Sequence, residues 1–142
     1  MRSCLLQRRI RRQITYGRGV SEIPVWSVSL GCPKNRVDTE HLLGSFGRTV
    51  RPVAEIGHAR VVLINTCGFI SSAVQESVQK IVECIHTIRS LRRKPLLVVA
   101  GCLVGRYGIE ALREDLPEVD LFLPTETMAT WGETVARALG LH

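Results

Sequence analysis

ARVVLINTCGF, residues 59–69, sets an apolar run against a polar step, a cysteine and a glycine. Val61 to Ile64 are four apolar residues with no polar residue alternating among them, which describes a strand buried on both faces. Strands of that kind belong to parallel sheets covered by helices on either side. Further strands, and the helices that join them, are therefore expected on either side of this stretch.

VWSVSL (25–30) reads as the preceding strand and LLVVA (96–100) as the following one. RTVRPV (48–53) reads as a short edge strand, weakened by Pro52, and VDLFL (119–123) as a last strand. Helical patterns lie between them: NRVDTEHLLGSF (35–46), a helix from Ser72 to Ser90, YGIEALREDL (107–116) and TMATWGETVARALG (127–140). For the second of these, Ser72 and Gln75 form a capping box, and the apolar stripe is Val74, Val78, Ile81, Val82, Ile85 and Ile88. The basic turn RSLRRKP (89–95) ends it. Strands alternating with helices predict an α/β fold, an open and mostly parallel sheet of four or five strands with helices on both faces, flavodoxin- or Rossmann-like. The 142 residues suit one domain. Pro24 marks its start, so residues 24–142 are expected to fold and residues 1–23 to form a basic, disordered extension.

The net charge of +6 resembles a nucleic-acid footprint until it is located. Residues 1–21 hold Arg2, Arg8, Arg9, Arg11, Arg12 and Arg18 and no acid, so the remainder is neutral. That arm has the character of an organelle transit peptide, but the expected compartment is the cytoplasm. No apolar run approaches the roughly 20 residues needed to cross a bilayer, and no secretory signal is visible, so no membrane partner is expected. Five cysteines, Cys4, Cys32, Cys67, Cys84 and Cys102, make an odd count with wide spacings, unlike the dense pattern of a secreted disulfide scaffold. The absence of any CxxC pair excludes a zinc ribbon and a thioredoxin-type redox motif.

Three of the cysteines share one grammar. In VSLGCPKN (28–35), LINTCGF (63–69) and VVAGCLV (98–104), an apolar run ends in small or polar residues and then Cys32, Cys67 or Cys102. The three lie at equal intervals of 35 residues, about one βαβ step. In a parallel sheet, a cysteine after each strand puts all three on the carboxyl edge, where α/β folds bind ligands. Gly31, Gly68 and Gly101 flank them, as close backbone approach requires. Three thiolates with no histidine partner suit a soft centre, and an iron-sulfur cluster is built on cysteine sulfur. Cys84 falls inside a helix and reads as core; Cys4 receives no role.

VSLGCPKNRVDTEHLLGSF, VVLINTCGFISSAVQES and VVAGCL resemble, in order and spacing, the N-terminal domain of the radical S-adenosylmethionine methylthiotransferases. The nearest branch is the one that modifies an aspartate of a small-subunit ribosomal protein. The resemblance spans residues 24–124. It implies that Cys32, Cys67 and Cys102 ligate one 4Fe-4S cluster whose free iron presents sulfur for methylthio transfer. It also implies a radical domain with a CxxxCxxC motif that cleaves S-adenosylmethionine. This chain has no such motif and is expected to need that domain in cis or in trans, with a ribosomal protein or a tRNA as substrate.

Four residues beside the cysteines invite supporting roles. Asn35 and Asp38 either bond the cluster's surroundings or a substrate, or cap a helix and complement its dipole. Asn65 and Thr66 either satisfy loop amides or donate toward sulfur. Two other functional classes fit the same chain: a cluster-free, flavodoxin-like module that binds a nucleotide or a partner, and a thiol enzyme using Cys32 or Cys67 as nucleophile.

Overall fold

The computed structural model describes residues 22–30, 50–68 and 71–140. Within them lie five strands: β1 (Ile23–Ser29), β2 (Val50–Pro52), β3 (Val61–Thr66), β4 (Leu96–Gly101) and β5 (Leu121–Leu123). Four α-helices accompany them: α1 (Ser71–Arg89), α2 (Cys102–Tyr107), α3 (Ile109–Asp115) and α4 (Trp131–Ala138). Every described strand pair is parallel, and the order is β2-β1-β3-β4-β5. This is the flavodoxin-like order 2-1-3-4-5, whose topological switch point lies between β1 and β3. The expected α/β sheet is present, in the flavodoxin-like form.

All six residues of β3 are buried, as the opening stretch predicts. Successive side chains alternate between two cores. Val62 and Ile64 join Val99 and Phe122 beneath α1, α2 and α3, through Ile81, Ile85, Leu103 and Leu112. Val61 and Leu63 join Ile23, Val25, Val98 and Ala100 beneath Trp131 and Val135 of α4. The Trp131 indole is fully buried, and its Nε1 donates to the carbonyl of Pro124 at 2.9 Å. β2 is one of the two edge strands, and Pro52, which has no N–H to offer a ladder, is its last residue.

Three local expectations are corrected, and the helix predicted over 35–46 lies outside the described residues. First, α1 starts at Ser71, so Ser72 sits in its first turn and not at its N-cap. The buried line of α1 is Ala73, Ser77, Ile81, Cys84, Ile85 and Ile88, while Val78 and Val82 are 38% and 50% exposed. Both lines satisfy the helical period; the hydrogen bonds between the Ser77 hydroxyl and the amide and carbonyl of Cys67 hold the helix with Ser77 facing inward and Val78 outward. Second, the helix expected over 107–116 is two helices, because Gly108 has φ +84° and closes α2 with its amide on the Val104 carbonyl. Third, the closing helix begins only at Trp131, after a 3-10 turn over Thr125–Thr130. Thr127 and Thr130 spend their hydroxyls on carbonyls three residues back, which competes with α-helical pairing there.

Candidate metal centre

β3 and β4 run side by side in the register Asn65↔Ala100 and Thr66↔Gly101. The next residue on each strand is a predicted ligand, so Cys67 and Cys102 leave adjacent strands at the same level of the carboxyl edge. On the other side of β3, β1 is followed by Leu30, whose amide donates to the Asn65 carbonyl at 2.9 Å. This edge includes the switch point between β1 and β3, where open α/β sheets bind ligands. Cys32, Asn35 and Asp38 lie outside the described residues. Among the described residues no three His, Cys, Asp or Glu side chains gather to hold a metal ion, and Cys67 and Cys102 are two of the three predicted ligands.

Two glycines bring the cysteine-bearing segments together. A Cβ on Gly68 would stand 2.7 Å from the Cys102 carbonyl oxygen. On Gly101, at φ +105°, it would stand 2.5 Å from the Thr66 carbonyl oxygen and 2.6 Å from Asn65 Oδ1. Close approach is thus what these glycines provide, strand end to strand end.

The supporting groups are partly those expected. Asn65 and Thr66 are fully buried, and the Thr66 hydroxyl donates to the Ala100 carbonyl at 2.7 Å, locking β3 to β4 just before both cysteines. Sequence reasoning missed three more. Ser77 Oγ accepts the Cys67 amide at 3.3 Å and donates to the Cys67 carbonyl at 3.5 Å, fixing the backbone of that buried cysteine. Thr125 Oγ1 donates to Cys102 Sγ at 3.7 Å, the kind of contact that orients a metal-ligating sulfur. Arg106 donates to the Gly68 carbonyl and so ties α2 to the loop after β3. Signals existed for two of them: Ser77 keeps four-residue spacing with Ala73 and Ile81, and Thr125 follows the last strand as the cysteines follow theirs.

Ser77→Ala is expected to lower stability by about 1–3 kcal/mol, because it leaves the buried Cys67 amide without its acceptor. Urea denaturation of the two proteins reads this directly.

Cys84 differs in kind. It is 2% exposed beneath the sheet, and burial pushes its thiol up from 9.0 to about 11, with Lys80 opposing and Glu83 reinforcing. The folded state therefore prefers the neutral thiol, and the stability this gives is whole below pH 9.0 and lost as pH rises toward about 11. At about 1.4 kcal/mol per pKa unit, Cys84→Ala should flatten the alkaline fall in melting temperature between those values. Equal slopes in parent and variant would contradict it.

Comparison with known proteins shows the family of the chain. The sequence model of the uncharacterized protein family UPF0004 matches residues 25–124. A protein of Nitratidesulfovibrio vulgaris named ribosomal protein uS12 methylthiotransferase RimO is 60% identical over 120 residues, covering 84% of this chain and 28% of that protein. Proteins of the same name are 60% identical over 119 residues in Oleidesulfovibrio alaskensis (84% and 28%) and 49% identical over 115 in Lawsonia intracellularis (81% and 26%). The chain thus spans little more than a quarter of the length of these curated relatives. Among the described residues no helix is long and apolar enough to cross a membrane. With its sheet from β1 to β5 falling almost wholly inside the matched segment, the chain belongs to the UPF0004 family, the N-terminal domain of RimO-like methylthiotransferases.

Proposed function

We propose that residues 24–142 are the cluster-binding domain of a methylthiotransferase, with Cys32, Cys67 and Cys102 as the three protein ligands of one 4Fe-4S cluster. The observation that carries this reading is the register Thr66↔Gly101, which launches Cys67 and Cys102 from one edge of the sheet. Leu30, two residues before Cys32, bonds to β3 at the same edge. The donor set fits: thiols suit iron-sulfur clusters, and two of the three stand on adjacent strand ends. When bound, a cluster held by three thiolates leaves one iron to carry the sulfur used in methylthio transfer.

The chain's own residues supply the rigid seat. Ser77 holds the Cys67 backbone, Thr125 orients the Cys102 sulfur, and Thr66 joins the two strands behind them. Asn65, Asn35 and Asp38 complete the surroundings. Transfer needs a radical domain that cleaves S-adenosylmethionine, in cis or in trans. The substrate is a ribosomal protein aspartate, as the relatives' name for uS12 favours, in preference to a tRNA adenosine. Such an enzyme works in the cytoplasm. The switch point between β1 and β3 also favours a second reading, a cluster-free module that binds a nucleotide or a partner. Anaerobic reconstitution with iron and sulfide separates them: about four irons per chain with visible absorption supports the first, and a folded chain without iron supports the second.

A further inference from the structure

We propose that the opposite, amino edge of the sheet is a groove that binds the sugar-phosphate backbone of single-stranded RNA. Two concavities lie there, of about 670 and 440 Å3, and both are lined by Arg60, Lys94 and Pro95. Arg60 immediately precedes β3, and Lys94 and Pro95 precede β4, so the two concavities form one track across the strand starts. The larger limb continues past Arg89 and the smaller past Arg93 and His58.

Among the described residues the charges along this track are unbalanced. From His86 to Pro95 the chain holds Arg89, Arg92, Arg93 and Lys94 and no acid. The two acids of the larger limb have internal partners: Glu118 pairs with Arg89, and Asp120 accepts the Leu97 amide at 2.8 Å. Lys94 donates to the carbonyls of Ile88 and Arg89 at the end of α1 and keeps its charge in the groove. Arg60 donates one N–H to the Leu139 carbonyl at 3.4 Å, and among the described residues Arg60, Arg92 and Arg93 have no acidic partner. All three are exposed.

The shape and chemistry select the ligand. An open track with guanidinium groups spaced along it suits a run of phosphates, which arginine forks bond in pairs. Among the described residues neither limb is lined by Phe, Tyr or Trp, and the one imidazole, His58, faces Glu55 at 3.8 Å, so recognition is of the backbone, independent of sequence and strongly dependent on salt. The groove lies across the sheet from the cysteines, so it is independent of the cluster proposed above.

The test is fluorescence anisotropy of a labelled oligouridylate with the full chain, its arginine-rich arm intact in every variant. Arg60→Gln/Arg93→Gln is compared with Lys80→Gln/Arg113→Gln, which removes the same charge from helix faces elsewhere. Each phosphate contact contributes about 0.7 to the slope of log affinity against log salt for single strands, so the groove variant should lose about 1.4 while the control keeps the parent slope. Unchanged melting temperatures confirm that both variants fold. Equal losses in the two variants, or none in either, overturn the proposal. A groove variant that loses binding to polyglutamate but not to oligouridylate overturns it in favour of an acidic peptide. Because Cys67→Ala should leave RNA binding intact, failure of the cluster reading and failure of this one are separable.

Discussion

Alanine at Cys32, Cys67 or Cys102 is expected, one at a time, to abolish the roughly four irons per chain gained on anaerobic reconstitution, while Cys84→Ala keeps them. The contrast follows from position. Cys67 and Cys102 directly follow the paired strand ends Thr66 and Gly101, whereas Cys84 is buried in α1 under the sheet with a thiol that stays protonated to high pH. Burial favours the neutral thiol of Cys84, the poorer metal ligand, and its side chain is packed in the core, so removing it costs packing and not iron. The series also separates the competing classes. A thiol enzyme tolerates loss of all but its nucleophile, and a cluster-free module tolerates loss of every cysteine. Iron retained in Cys32→Ala would strike that residue from the ligand set, and iron retained in all three would end the cluster reading.

What the sequence disclosed and what it hid divide along physical lines. β3 was legible because a continuous apolar run has few other uses in a chain that alternates strand and helix, and β4 and β5 followed by the same reasoning. The placement of Cys67 and Cys102 after adjacent strand ends was legible too, since parallel strands carry equal intervals in sequence to one edge. Hidden were effects decided by tertiary contact. The face of α1 depended on Ser77 reaching the Cys67 backbone, a polar pairing that outweighs the apparent claim of Val78 and Val82. The break at Gly108 depended on a positive φ that a glycine permits but does not announce. The role of Thr125 required knowing that β5 lies beside β4, which brings its hydroxyl to Cys102.

Gly101→Ala should be the most damaging conservative change at the proposed centre, lowering stability by more than about 3 kcal/mol, a large part of the 5–15 kcal/mol typical of a domain. Two costs combine. At φ +105° and ψ −163° the backbone is in a region that only glycine occupies readily, worth about 1–3 kcal/mol. In addition the new Cβ would stand 2.5 Å from the Thr66 carbonyl oxygen and 3.0 Å from the Thr66 nitrogen. Those atoms belong to a strand buried along its whole length, so they have little room to yield. Gly108→Ala provides the control: φ is +84° and ψ 149°, but nothing lies within 4 Å of the added Cβ. It should therefore show the backbone cost alone, and the difference between the two variants in urea denaturation isolates the overlap with β3. Relief of that overlap would push β3 and β4 apart at Thr66↔Gly101, the pair that sets the level of both cysteines, so iron binding should fall in Gly101→Ala even where the domain remains folded. Equal stability of the two variants would mean that the strand ends can separate freely, and a seat that loose could not hold Cys67 and Cys102 in the fixed relation a shared cluster requires.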